Sequence, residues 1–115
     1  MFQLPARFLL LMPVALLTLR AVAGDFQSVT SVDGQWRPEG AHLTLEAALH
    51  IAEAEARKNH VRFSDFLSPW FRYSQDKDES PTWDFMYDGK IPAIGNHFMI
   101  VVNDRTRQVV FVPGK

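Results

Sequence analysis

The chain has 115 residues, with 12 Lys and Arg against 13 Asp and Glu, a net charge of −1 with neutral histidines, and no cysteine. That length supports one small domain. The missing cysteines exclude a disulfide framework and thiol chemistry, and without a basic excess to neutralise a run of phosphates nucleic acid is not an expected partner.

Arg7 and the N-terminal amine precede an apolar run over 8–19, and Ala21, Val22 and Ala23 form the small-x-small pattern that a signal peptidase reads. Residues 1–23 are therefore expected to be a signal peptide, cleaved after Ala23, and the product to be periplasmic or secreted. The run is shorter than the ~20 apolar residues of a membrane span. A retained signal anchor is the alternative, because Pro13 interrupts the run and Arg20 stands close to the cut. Cleavage removes Arg7 and Arg20 and no acid, leaving 92 of the 115 residues with 10 basic and 13 acidic side chains, a net charge of about −3. Such a domain relies on its aromatic residues for stability, each able to bury on the order of 150–250 Å².

Residues 24–42 are rich in Gly, Ser, Asp and Gln and show no sustained period, so they read as an extended lead-in, with Trp36 as a residue that docks on the domain. A helix is predicted over 43–60. Leu45, Ala48, Leu49, Ala52 and Ala56 recur at the spacing that lines one side of a 3.6-residue helix, and Glu46, His50, Glu53 and Arg57 line another. Glu53 and Arg57 form an i,i+4 pair contributing roughly 0.2–0.5 kcal/mol. Thr44 is the N-cap, Glu46 and the pair Arg57 and Lys58 complement the dipole, and Asn59 is the expected left-handed stop. The alanine stripe is shallow, which suits packing on a sheet.

Residues 61–68 are ambiguous and are read as a connection. Pro69 opens a short aromatic strand through Trp70, Phe71, Arg72 and Tyr73, and the charged stretch 75–81 is a solvated hairpin loop. Over 82–88, Trp83, Phe85 and Tyr87 alternate with Asp84, Met86 and Asp88, so the aromatic side should meet the helix. Residues 96–103 are apolar on both sides, as in a central strand; 104–108 turn the chain and 109–112 return it. The sum is an α+β, two-layer domain over 43–115: one N-terminal helix on a three- to four-stranded antiparallel sheet.

These residues resemble the PepSY domain of secreted and membrane-associated bacterial proteins. Thr44-Leu45-Glu46-Ala47-Ala48 with Ile51-Ala52 is similar to its opening helix, Trp83-Asp84-Phe85-Met86-Tyr87 to its aromatic middle strand, and the stretch from Phe98 through Asn103-Asp104-Arg105-Thr106-Arg107-Gln108-Val109 to its final hairpin. The family's turn generally carries glycine where Arg107 stands, so a positive φ there would cost about 1 kcal/mol. The resemblance implies a non-catalytic module acting by protein contact, in some members by restraining proteases. It implies no shared catalytic residues, and no cofactor is expected.

Candidate chemistry is sparse. His42, His50, His60 and His97 form no metal-ligand spacing, and Glu46, His50 and Glu53, though on one helix face, read as solvated surface. There is no G-x-S-x-G elbow. Asp84 and Asp88 lie roughly 13 Å apart along one strand, too far for a carboxylate pair, and with Asp76, Asp78 and Glu79 are expected to keep an edge and its loop soluble. The unusual feature is the apolar loop 89–95 with Lys90, Ile91, Pro92 and Ile94, running into His97. It is either a lid on the sheet end or a docking loop for another protein. Trp70 and Tyr73 are either core aromatics or interface anchors. The expected function is an exported binding or regulatory module whose partner is another exported protein. Two alternatives stand beside it: a small immunity or inhibitor protein with a cystatin- or NTF2-like fold, and a hydrolase using His97 with Asp84 or Asp88.

Overall fold

The computed structural model describes residues 25–93 and 95–114, so the predicted signal peptide lies outside the described residues. In chain order the elements are β1 (Gln27–Ser28), a 3-10 turn (Val29–Ser31), α1 (Leu45–Lys58), a second 3-10 turn (Phe63–Asp65), β2 (Trp70–Ser74), β3 (Thr82–Asp88), β4 (His97–Asn103) and β5 (Val109–Pro113). The strands form one sheet in the order β1-β2-β3-β4-β5, every neighbouring pair antiparallel. The domain is α+β and two-layered as expected, but its sheet has five strands among the described residues instead of three or four.

The helix forms where the alanine spacing places it. Thr44 caps it by accepting a hydrogen bond from the Ala47 N–H, and Leu45, Ala48, Ala52 and Ala56 are buried against the sheet. The core it closes contains Phe71, Trp83, Phe85, Tyr87, Phe98, Ile100 and Val102; of these, alternation assigns Trp83, Phe85 and Tyr87 to the helix side. Because an alanine side chain ends at Cβ, α1 approaches the strands closely enough for the large aromatic rings to fill the space beside it.

Three local expectations are corrected. Asn59 ends the helix with a negative φ, and His60, one residue later, takes the left-handed conformation at φ 63°. The Arg57 guanidinium sits 5.6 Å from the Phe63 ring centroid, an interaction across to the second 3-10 turn that the i,i+4 reading did not include. The lead-in is not merely extended: β1 pairs with β2, Ala41 and Leu43 are buried, and Trp36 packs 5.8 Å from Phe71 and 6.1 Å from Trp83 by ring centroids. The Trp36 carbonyl accepts from the Leu45 N–H and the Gly34 carbonyl from the Glu46 N–H, so the lead-in supplies partners for donors that the first helical turn leaves open.

A buried carboxylate joins the lead-in to the last hairpin. Asp104, 1% exposed, accepts hydrogen bonds from the His42 N–H (2.8 Å), the Leu43 N–H (3.0 Å), the Trp83 indole N–H (3.0 Å) and the Arg105 guanidinium (2.7 Å). The Tyr73 hydroxyl stands 3.5 Å away. Burial raises the Asp104 pKa, but the two backbone N–H groups, the Trp83 indole and the Arg105 charge together outweigh it and hold the carboxyl below its ordinary value. In the same hairpin Arg107 has φ 65°, the left-handed position expected for a glycine.

Candidate functional site

Alternation leaves the second side of the sheet with no layer over it among the described residues. On this side the register sets Trp70 opposite Met86, Met86 opposite Met99, and Met99 opposite Val112, an apolar row across all four long strands. Trp70 retains 43% of its surface and Val112 44%, while Met86 and Met99 are half-buried by their neighbours. Val101 and Val110 form the next pair along.

Toward the hairpin loop, the row gives way to a polar knot around Asp84. This carboxylate, 5% exposed, accepts from the Arg72 guanidinium at 2.8 Å, the Ser74 hydroxyl at 3.0 Å and the Thr82 hydroxyl at 2.9 Å, and Arg72 also lies 4.6 Å from the Phe26 ring centroid. Asp84 therefore does not keep an edge soluble, as expected from the sequence. It lies buried on the central strand β3, with its charge matched by Arg72.

On the other side of the row from Asp84, past the paired Asp88 and His97, lies the 89–96 loop. The Gly89 N–H donates to the Asn96 carbonyl, the Lys90 N–H to the Asp65 carbonyl at 2.9 Å, and the Asn96 side-chain amide to the Ile91 carbonyl. A Cβ at Gly89 would occupy the space of the Asn96 side-chain amide, so that amide would have to move away. The loop is thus held in place, yet Ile91 is 75% exposed and Lys90, Pro92 and Ala93 are exposed as well. These four side chains do not seal the core. Ile94 lies outside the described residues. Leu67, Pro92, Ala93, Asp88, Asn96 and His97 line an open depression of about 380 Å³ at this end of the sheet.

Of the residues singled out in the sequence, Lys90, Ile91, Pro92, His97 and Trp70 thus fall at one end of the molecule. Tyr73 does not join them. It faces the helix side, packs edge-on against Trp83 at 5.1 Å and lies near Asp104, the placement of a core aromatic, the first of the two readings given to it. Trp70 and Tyr73 are three positions apart, and a strand sends such a pair to opposite faces. The residues that sequence reasoning missed are Met86, Met99 and Val112, which only the strand register brings together, and Leu67, which lines the depression beside His97.

The site offers limited chemistry. Asp88 stands directly opposite His97 in the register, whereas Asp84 is engaged by Arg72, Ser74 and Thr82. Among the described residues no group of three or more His, Cys, Asp or Glu side chains is placed to hold a metal ion, and no helix is long and apolar enough to cross a membrane. One buried polar atom, the Tyr87 hydroxyl, has no hydrogen-bond partner among the described residues; burial first, and the Glu53 charge second, push its pKa upward, so it stays a neutral phenol.

The arrangement defines a class: a two-layer α+β domain, one helix on an antiparallel meander, with one sheet face open. Comparison with protein-family models, with curated proteins and with solved structures finds no match for this chain.

Proposed function

We propose that the chain is a non-catalytic, exported binding module of PepSY type that acts by protein contact through its open sheet face and the 89–96 loop. The observation that carries this reading is the uncovered row Trp70, Met86, Met99 and Val112, with Trp70 and Val112 more than two fifths exposed; Leu67 and Ile91 are further exposed apolar side chains at the loop end of the sheet. Small soluble domains rarely leave contiguous apolar surface of this kind exposed without a contact to make. Trp and Met suit such a role: a large rigid anchor beside two adaptable thioether chains. The partner is another exported protein, and restraint of a peptidase is the form of this function that the family resemblance suggests.

The test is capture from a periplasmic extract. The unaltered chain should retain a defined partner, and chains carrying Trp70→Asp, or Ile91→Asp with Ile94→Asp, should lose it while keeping their melting temperature. Undiminished capture by both variants would count against the reading.

A second reading, a small immunity or inhibitor protein with a cystatin-like fold, draws on β1, the strand ahead of the helix that adds a fifth member to the sheet. A third, a hydrolase, draws on His97 facing Asp88 beside the open depression. Loss of a hydrolytic activity in a His97→Ala chain would favour that last reading over a binding role.

A further inference from the structure

The chain enters its sheet on the open side. β1 begins at Gln27, and the ring centroid of Phe26, the residue before it, is 4.6 Å from the Arg72 guanidinium, which lies on the open face in its bond with Asp84. The pairing agrees: Ser28 stands opposite Trp70, and residues two apart on a strand share a face, so Phe26 belongs to the side of Trp70. Residues 1–24 are therefore joined to the domain at one edge of the face that no layer covers among the described residues.

Reach and chemistry both fit that face. Val101 and Val110 share one row with Arg72 and Asp84, and Trp70, Met86, Met99 and Val112 form the next, so apolar side chains extend from β2 to β5. From β1 to β5 the sheet spans roughly 19 Å, at about 4.8 Å between neighbouring strands. The apolar run over 8–19 holds twelve residues and no charge, a length of about 18 Å even at the short rise of a helix. The six residues 20–25 that tie it to Phe26 can bridge about 20 Å, so every part of the face is within reach. A short tether also holds its segment at an effective concentration in the millimolar range. A weak apolar contact within the chain therefore outcompetes a second copy at micromolar concentration.

We propose that the apolar segment 8–19, while still attached, lies across the open face of its own domain and keeps a partner from it. Processing then switches the face on: a signal peptidase hydrolyses the Ala23–Gly24 amide bond, one water giving a carboxylate and an amine, and the freed segment loses the advantage of its tether. This regulation rests on the docking function proposed above, whereas the contact itself rests on the face and the tether alone.

The test uses the full, uncleaved chain, made by cell-free translation without membranes. Because the chain has no cysteine, the contact can be read by disulfide formation under mild oxidation. Met99→Cys with Leu16→Cys should close within one chain, at a rate independent of protein concentration. That rate should exceed by about tenfold the rate for Lys58→Cys with Leu16→Cys, an equally tethered pair whose helix lies on the other layer. Val101→Cys in place of Met99→Cys gives a second reading of the same contact, and near-ultraviolet circular dichroism of the buried aromatics checks that each variant is folded. Adding Val14→Asp and Leu17→Asp should abolish the advantage. Equal rates for the two pairs overturn the proposal, as do disulfides formed only between chains, the result a second copy would give, or an advantage untouched by the two aspartates. Partner capture by the processed chain judges the docking function separately, so loss of the cover leaves that function standing.

Discussion

On the side of the sheet facing α1, Phe71, Trp83, Phe85, Ile100 and Val102 are fully buried, whereas on the other side Trp70 and Val112 keep more than two fifths of their surface, although the same strands in the same register carry both sets. Both sides are apolar. The difference lies in what covers them: one alanine-lined helix closes the first face and contributes to the core, and the second has no such layer among the described residues and carries the polar knot around Asp84. A small domain whose stability can be met by one face is free to present the other, and the division predicts which substitutions should be felt as unfolding and which should not.

The largest effect is expected at Asp104, which belongs to the covered side through Trp83 and the lead-in. Asp104→Ala leaves two backbone donors and an indole N–H without their acceptor and removes the partner of Arg105, a loss of about 3–5 kcal/mol by analogy with broken buried ion pairs. Urea denaturation at neutral pH measures it. The sign with pH follows from the depressed native pKa: the carboxylate's contribution is complete above the unfolded value of about 4 and disappears as pH falls through the native value. The stability gap between the unaltered chain and Asp104→Asn should therefore close in acid. A gap that persists unchanged well below pH 4 would show that the Asp104 charge is not what binds the hairpin to the lead-in.

A smaller loss is expected where the helix meets the sheet. Ala52 is fully buried, and Ala52→Leu inserts three carbons where the approach of α1 leaves no room, at a cost of about 1–3 kcal/mol by thermal or chemical denaturation. A neutral result would mean that the helix can lift from the sheet without penalty, and the closed face would lose its special standing. Smaller still, and opposite in sign, is Arg107→Gly. The backbone at φ 65° is one glycine adopts freely, so this change should stabilise the hairpin by about 1 kcal/mol.

Much of the covered face was legible in the sequence because its signals are local. The spacing of Ala48, Ala52 and Ala56 placed the helix, the alternation of Trp83, Phe85 and Tyr87 placed the core side of β3, and Asp104 to Gln108 read as a turn. What escaped has its partners far away in the chain. Asp104 binds His42 and Leu43, more than sixty residues earlier, and nothing in a turn sequence announces a buried carboxylate. The lead-in lacks a period because Trp36, Gly34 and Gln27 are held by α1 and β2, not by one another. Asp84 was read as solvated because alternation puts it opposite the aromatic side, but whether that side is wet at a given point depends on its neighbours on the sheet, here Arg72 and Ser74 on β2 and Thr82 two residues earlier on β3. For the candidate site, the exposure of the loop around Ile91 was anticipated as one of two readings. The row extending from Trp70 was not, since Met86, Met99 and Val112 become neighbours only through pairing.

The most direct test of the division between faces uses two adjacent residues of β4, Met99 on the open side and Ile100 on the covered one. Urea unfolding of Ile100→Ala should show a loss of about 2–5 kcal/mol, the cost of a cavity in a packed core, and Met99→Ala no more than about 1 kcal/mol. Equal losses from the two would contradict the account, because they would mean that the second face is needed to hold the domain together and is not free for a partner.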